Sequence, residues 1–242
     1  MLFFPTVTSG PIDRSRRFDE DIDKVLPRAE YLELLGEGIY RILKGMMYKI
    51  VIAAGFYTVM NYFGTGGTWY SIAIYFYTYG FYLFFDFAGY SSMAIGVSYI
   101  FGIKTPENFN APFISKDIKE FWNRWHMTLS FWFRDFLFSR VTMSLVRSRK
   151  IKNKMAIASV AFMINMFVMG VWHGLESNYI VYGLYHGVLL SLCEIFQKKS
   201  KFYKAHKKDK WFIALSWFIT FNLVMLGFFI FSGRLGILLF KK

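Results

Sequence analysis

Long apolar runs separated by short charged segments dominate the chain. Residues 46–63 carry one charge, Lys49, whereas residues 155–172 and 211–231 carry none. A helix rises about 1.5 Å per residue, so a run of this length reaches roughly 27 Å, close to the hydrocarbon thickness of a bilayer. The pattern therefore predicts membrane-spanning helices over these runs and over residues 178–197.

The run over residues 69–103 is too long for one crossing. It contains one charge, Asp86, and as a single helix it would extend roughly 50 Å, against a bilayer core of about 30 Å. The sequence therefore predicts two elements with a break at residues 86–92, a stretch that holds a glycine and two serines. Because a charge is costly inside a membrane, Asp86 is expected to pair with Arg124 or Arg134, or to line a wet cavity.

Three further segments are more polar. Residues 13–37 are dense in charge and predict an interfacial helix that leads into the first span. Residues 104–119 contain two prolines and two asparagines and predict a polar loop. Residues 121–138 are aromatic with interrupting charges, and as one helix they would place His126 on an apolar face. That face would hold Trp122, His126, Leu129, Phe133 and Phe136.

Composition and charge narrow the class of protein. Hydrophobic residues make up 55% and aromatic residues 21% of the chain, which excludes disorder and most soluble folds. The net charge of +13 is concentrated in residues 147–154 and 198–210, between the apolar runs. Such segments are typical of cytoplasmic loops that face an anionic lipid membrane, and no nucleic-acid partner is expected. The fold class predicted is an all-α polytopic membrane bundle, with the loop at residues 173–177 on the outer side.

Histidines are the strongest candidates for chemistry, because the common nucleophile, nucleotide and zinc-protease motifs are absent from the sequence. His173 follows a charge-free run and can exchange a proton near neutral pH, although capping of helix carbonyls would also explain it. For His126 and His186 the residues alone favour packing roles. The histidine spacing does not suit a metal site, and no metal ion is expected. The single cysteine, Cys193, excludes an internal disulfide and is more typical of a packing residue than of a nucleophile.

Several longer motifs, taken together, resemble one family of membrane enzymes. They are DFAGYSSMAIG at residues 86–96, FWNRWHMTLSFWFR at 121–134, GVWHG at 170–174 and GLYHG at 183–187. In this order they are similar to motifs of the membrane-bound O-acyltransferases. Within that family, three more motifs resemble the members that serve lipoteichoic acid D-alanylation: FFPTVTSGPIDR at 3–14, PENFNAPF at 106–113 and GFFIFSG at 227–233.

The resemblance implies a ring of helices around a thin centre that is pierced by a tunnel. It implies a donor in which D-alanine forms a thioester with the phosphopantetheine arm of a D-alanyl carrier protein, with no cofactor bound to the chain itself. The acceptor would be lipoteichoic acid or an intermediate acyl acceptor, and other membrane proteins of the D-alanylation pathway would be partners. When the histidines of the family's motifs are matched to this sequence, His173 would be the general base, and His126 would orient substrate or assist proton handling.

The tunnel and a docking surface also have candidate residues. Those along the tunnel are Asp86, Trp122, Asn123, Trp172 and His186. An acidic carrier protein would be steered by basic residues and held by apolar ones. The candidates for this docking are Val141, Met143, Arg147, Arg149 and Lys150. Ordinary membrane topology would explain the same basic residues at least as well.

The domain organisation follows from the same resemblance. Residues 1–242 are expected to form a single membrane-bound O-acyltransferase domain that is incomplete at its N-terminus, because full family members carry several more helices there. Three other interpretations stay open. They are a polysaccharide O-acetyltransferase of the alginate type, a truncated scaffold without catalysis, and a transporter with a proton relay through Asp86 and the histidines.

Overall fold

The computed structural model describes residues 3–6, 10–64 and 66–240, and residues 7–9 of the N-terminal motif lie outside it. Every regular element in these ranges is helical, which confirms the predicted all-α class. The chain packs as two compact units. One consists of Met1–Asn110 and His126–Leu129, and the other of Ala111–Trp125 and Ser130–Lys242.

The first unit is built on two long helical runs. Helix α1 (Ser15–Ile22) is followed by α2 (Arg28–Met46), a π-helical stretch (Met47–Ala53), α3 (Ala54–Gly64) and α4 (Trp69–Ile100). The helix from α2 to α3 is continuous over 37 residues. The predicted interfacial helix is therefore two elements, because the chain is extended at Pro27 and α2 begins directly after it.

Helix α4 is one uninterrupted helix of 32 residues, so the predicted break in its middle is wrong. The small residues there serve close packing against α2. A Cβ on Gly89 would lie 2.7 Å from the carbonyl oxygen of Gly45, and a Cβ on Gly96 would lie 2.5 Å from that of Gly38. Ser92 also donates a hydrogen bond to a carbonyl of α2 over 2.9 Å. The helix is about 48 Å long, so in a bilayer it must tilt or extend beyond the hydrocarbon.

The second unit contains the remaining long helices. After a 3₁₀ turn (Pro112–Ile114), the elements are α5 (Ile118–Trp122), α6 (Met127–Phe133), a π-helical turn (Arg134–Phe138), α7 (Ser139–Ser148), α8 (Lys154–His173), α9 (Ser177–Lys199), α10 (Lys201–His206), α11 (Lys210–Phe231) and α12 (Arg234–Phe240). Helices α8, α9 and α11 confirm three of the predicted spanning runs. Five helical runs of the described chain are long and apolar enough to cross a membrane: α2 to α3, α4, α8, α9 and α11.

The predicted single helix over residues 121–138 is wrong, because the chain turns between Trp122 and Met127. Helix α5 ends at Trp122, and His126 takes a left-handed φ of 43°, which interrupts the helical ladder. The predicted apolar face is nevertheless buried at four of its five positions, whereas Phe136 is 43% exposed. Burial was thus predicted correctly where helix continuity was not.

At one end of the second unit, the end of α8, the start of α9 and the end of α11 lie together. Gly170 of α8 and Gly183 of α9 face each other where the two helix backbones are in close contact. At the start of α9, Asn178 donates a hydrogen bond of 2.8 Å to the carbonyl of Phe231, at the end of α11. His173 ends α8 at this same end. The basic segments 147–154 and 198–210 lie at the other end of these helices.

Candidate active site

His126 sits in a turn that the loop around Asn108 holds in place. The backbone N–H of Met127 donates to the Asn108 carbonyl over 2.8 Å. The Thr128 hydroxyl donates to the Asn108 side-chain oxygen over 2.8 Å, and itself accepts from the Ile12 N–H at 3.0 Å. Asn108 and Thr128 are buried. These contacts start α6 at Met127 and leave His126 in its left-handed conformation.

The ring of His126 is buried against aromatic side chains of the first unit. Its centroid lies 4.7 Å from that of Phe87, with the planes tilted by 32°. Phe109 meets Phe87 edge-on at 5.1 Å. The imidazole is thus held in one orientation by its turn and by ring packing. Sequence reasoning missed Phe87 and Asn108, because only the fold brings residues so far apart in the chain beside His126.

Asp86 pairs with Lys49 and not with either of its predicted partners. The Lys49 ammonium forms an ion pair and a hydrogen bond with the Asp86 carboxylate, between the π-helical stretch and α4. The expectation of Arg124 or Arg134 as partner was therefore wrong. Both belong to other ion pairs, Arg124 with Glu120 and Arg134 with Asp135. Lys49, the only charge in the first apolar run, was the signal for this pair, because a second charge inside the membrane also needs a partner.

His173 is the last residue of α8, and its ring lies among aromatic residues of α9 and α11. The ring centroid is 5.1 Å from that of Phe231 and 6.3 Å from those of Tyr179 and Tyr182. The side chain of His173 remains exposed in the described chain. The imidazole is therefore accessible within the described chain, and three rings set its position.

The glycines of GVWHG and GLYHG bring α8 and α9 close enough to build this corner. A Cβ on Gly170 would lie 2.5 Å from the Tyr179 carbonyl oxygen, and one on Gly183 would lie 2.3 Å from that of Met166. A Cβ on Gly174 would meet the Tyr179 ring at 2.7 Å. All three distances are too short for a real Cβ, so these positions require glycine. Close approach through small residues is the usual packing of membrane helices.

His186 is completely buried in the second unit, next to Trp122. The two ring centroids are 5.2 Å apart, and the centroid of the Tyr182 ring lies 4.6 Å from that of His186. Within the described residues, neither ring nitrogen of His186 forms a hydrogen bond, and the indole N–H of Trp122 has no acceptor. Buried polar atoms normally have partners. Gly227 leaves room for the imidazole, because a Cβ there would lie 2.4 Å from Nε2.

The other predicted site residues are at the surface of the described chain. Asn123 follows α5, and Trp172 is 57% exposed beside His173. Of the docking candidates, Val141 is partly buried and Met143 is 49% exposed on α7. Arg147, Arg149 and Lys150 are exposed at the end of α7 and just after it.

The structure thus gathers the candidates into two groups, each within its own unit. The first unit holds His126, with its Phe87 and Asn108 supports, and the Asp86–Lys49 pair. The second unit joins His173 and His186 through Tyr182, whose ring contacts both, and adds Trp122 and Trp172. Among the described residues, no group of three or more histidine, cysteine, aspartate or glutamate side chains could hold a metal ion.

Comparison with known proteins gives one family. The family model for the membrane-bound O-acyltransferases matches residues 1–235. The teichoic acid D-alanyltransferase of Bacillus subtilis is 50% identical over 97% of this chain and 60% of its own length. That of Streptococcus thermophilus is 47% identical over 100% of this chain and 62% of its own length.

More distant relatives carry a different name. The probable alginate O-acetylase AlgI of Pseudomonas aeruginosa is 31% identical over 96% of this chain and 42% of its own length. The chain spans about three fifths of the length of the curated D-alanyltransferase relatives that it matches. With its five long apolar helices, it is a multi-pass membrane protein.

Proposed function

Because the chain belongs to the membrane-bound O-acyltransferase family, we propose that it transfers an acyl group within the membrane and that this group is D-alanyl. Relatives named teichoic acid D-alanyltransferase are 38–50% identical to it, against 31–33% for the alginate O-acetylases. The observation that carries the proposal is the accessible imidazole of His173, held by aromatic rings at the end of α8.

The proposed reaction passes D-alanine from a thioester to an alcohol. The donor is the D-alanyl thioester on the phosphopantetheine arm of a carrier protein, and the acceptor is a hydroxyl of lipoteichoic acid or of an intermediate. His173 takes the proton of the hydroxyl as its oxygen attacks the thioester carbonyl. The C–S bond then breaks, an ester forms, and the departing thiolate receives the proton. No group on the enzyme is consumed.

The remaining candidates support this reaction by binding. His126 is proposed to orient substrate or to assist proton handling, which its fixed ring orientation suits. His186 and Trp122 are proposed to bind a polar part of a substrate, because their buried N–H and nitrogen groups have no hydrogen-bond partner among the described residues. Trp172 and Asn123 are proposed to contact the substrate nearer the surface. Asp86 is proposed to act through its ion pair with Lys49.

The carrier protein is proposed to dock on α7 and the basic segment after it. Met143 and Val146 are exposed apolar residues at 49% and 56%, beside the exposed Arg147 and Arg149. An acidic partner would be steered by the charges and held by the apolar contacts. Reversal of charge at Arg147 with Glu should weaken carrier binding and raise its salt sensitivity. The same change at Lys204, in the other basic segment, is the matched control.

The decisive experiment follows label from D-alanine to teichoic acid. Membranes that contain the full protein receive radiolabelled D-alanine, its ligase and the carrier protein. We expect label in teichoic acid, and a loss of about 10² to 10⁴ in rate for His173→Ala. His206→Ala is the control, because His206 pairs with Asp209 in the basic segment. An unchanged rate for His173→Ala would remove the proposed role of this residue.

The same experiment separates two of the other functions, the O-acetyltransferase and the scaffold. An O-acetyltransferase of the alginate type would use the same histidines but would leave D-alanine unincorporated, in membranes where a full-length relative incorporates it. A scaffold without catalysis would keep its phenotype after His173→Ala. The observation that supports the O-acetyltransferase as the second candidate is the identity of 31–33% to alginate O-acetylases over 96% of the chain.

A further inference from the structure

A groove of about 410 Å³ lies between α9 and α11 in the second unit, at their lysine-rich end. Its deeper walls are apolar. They include Leu189, Leu192 and Phe196 of α9, and Leu215, Ile219 and Leu223 of α11. The residues of the proposed acyl transfer do not line it. The groove is therefore a separate feature of the molecule, and its size is that of a ligand pocket.

The length of the groove matches half of a bilayer. Its innermost wall on α9 is Leu189, ten residues before the helix ends at Lys199. Ten helical residues span about 15 Å, and the hydrocarbon of one leaflet is about 15 Å thick. An extended apolar chain that enters at the lysine-rich end would therefore reach the end of the groove at the middle of the membrane.

The mouth of the groove is basic. Lys116 and Lys207 line it, and within the described chain neither ammonium group forms an ion pair or a hydrogen bond. They belong to a wider basic surface, because residues 198–210 contain seven lysines. Tyr203 also lines the mouth, and burial, with the charge of Asp117, raises the pKa of its phenol. The phenol is thus a neutral hydrogen-bond donor beside the two lysines.

Acidic residues at the mouth are outnumbered by basic ones. Three carboxylates lie on or near the lining, and each accepts hydrogen bonds or forms ion pairs within the second unit. Their partners are Lys119 and Lys198 for Glu194, Gln197 for Asp117, and Arg124 for Glu120. Asp117 keeps its negative charge, because its side-chain partner is a neutral amide. Counted with Lys116, Lys207 and the cations that pair with Glu194 and Glu120, five basic groups lie at the mouth against three carboxylates. The net charge at the mouth is therefore positive, and it favours an anion at the level of the lipid headgroups.

We propose that this groove binds one acyl chain of an anionic phospholipid, with the phosphate of its headgroup against Lys116 and Lys207. The apolar walls remove the chain from contact with other lipids, and the two free ammonium groups select a negatively charged headgroup. The phospholipid comes from the leaflet on the lysine-rich side. This site goes beyond acyl transfer, and it does not depend on the reaction.

The test uses photoactivatable lipids and the full protein in nanodiscs. A phosphatidylglycerol with a diazirine at the end of one chain is compared with a phosphatidylcholine that carries the same group. After irradiation, labelled peptides are mapped by mass spectrometry. Because the reactive group is at the end of the chain, we expect label at the deep end of the groove, on residues 189–192 and 219–223, with the anionic lipid preferred. About fivefold of this preference should be lost for each lysine removed at the mouth.

Matched variants separate the charge from the shape of the site. Lys116→Gln with Lys207→Gln should reduce labelling by the anionic lipid to that by the zwitterionic lipid. Lys208→Gln should not, because Lys208 is basic but does not line the groove. Ser216→Trp should block labelling by filling the groove. Ala214→Trp is its control, because Ala214 lies on the same helix outside the lining.

Three results would overturn the proposal. They are equal labelling by the two headgroups, labelling that survives Ser216→Trp, and crosslinks from the groove to a second copy or to another protein segment in place of lipid. None of these readouts requires acyl transfer. A failed lipid site and a failed proposal for D-alanyl transfer are therefore distinguishable.

Discussion

Replacement of Gly183 by alanine should destabilise the protein, because at this position the backbone of α9 lies directly against that of α8. The new Cβ would be 2.3 Å from the Met166 carbonyl oxygen, and ordinary contact begins at 3.4 Å. The oxygen belongs to the backbone, so no side chain can move aside. The two helices must separate by about 1 Å, and overpacking of this kind costs about 1–3 kcal/mol.

The separation should also affect the candidate active site. Gly183 follows Tyr182, whose ring contacts His173, and Gly170 on the facing helix precedes His173 by one turn. A displacement of about 1 Å near a catalytic group can reduce a rate by roughly 10²-fold. We therefore expect Gly183→Ala to lose activity as well as stability.

The unfolding midpoint in detergent measures the stability effect. A loss of 1–3 kcal/mol in a chain of this size lowers the midpoint by about 2–12 °C. Gly36→Ala is the control, because Gly36 lies on α2 with no atom within 4 Å of an added Cβ. Alanine is also the better helix former, so that variant should be as stable as the parent or more so. A midpoint for Gly183→Ala within about 1 °C of the parent would refute the reasoning.

Three other predictions concern the supports of the candidate residues. Asp86→Leu should lower stability by about 2–3 kcal/mol because it leaves Lys49 unpaired within a spanning helix, and the double variant with Lys49→Leu should recover most of the loss in thermal unfolding. Asn108→Ala should cost about 1–3 kcal/mol, and a double-mutant cycle with Thr128→Val should show coupling, whereas additive effects would contradict the shared hydrogen bond. His186→Leu should change stability by less than about 1.5 kcal/mol, because the imidazole has no hydrogen bond among the described residues; a larger loss would mean that its nitrogens already stabilise the fold.

The spanning helices were predictable because their signal is local. The charge-free runs over 155–172 and 211–231 became α8 and α11 almost residue for residue. Hydropathy reports how each residue partitions into lipid, and this depends little on the rest of the fold. The same local signal identified His173 as a candidate, because an ionisable group at the end of such a run stands out.

Errors arose where neighbouring elements decide the conformation. Gly89 and its adjacent serines predicted a break in α4, but they are the small residues that let α2 approach. His126 was expected within a helix, but the Asn108 loop captures the next backbone N–H and stops the ladder. In both cases the determining partner is distant in sequence, so no periodicity along the chain could reveal it.

The two kinds of small-residue contact serve the same end. In the first unit, the glycines of α2 and α4 bring Lys49 and Asp86 together, which neutralises two charges that lipid would not tolerate singly. In the second unit, Gly170 and Gly183 bring α8 to α9, which sets His173 against its aromatic neighbours. A membrane offers no hydrophobic drive to press helices together, so close backbone approach must supply the attraction. The chemistry proposed for His173 therefore depends on the glycines that position it, and their replacement should be as damaging as a change in the candidate site itself.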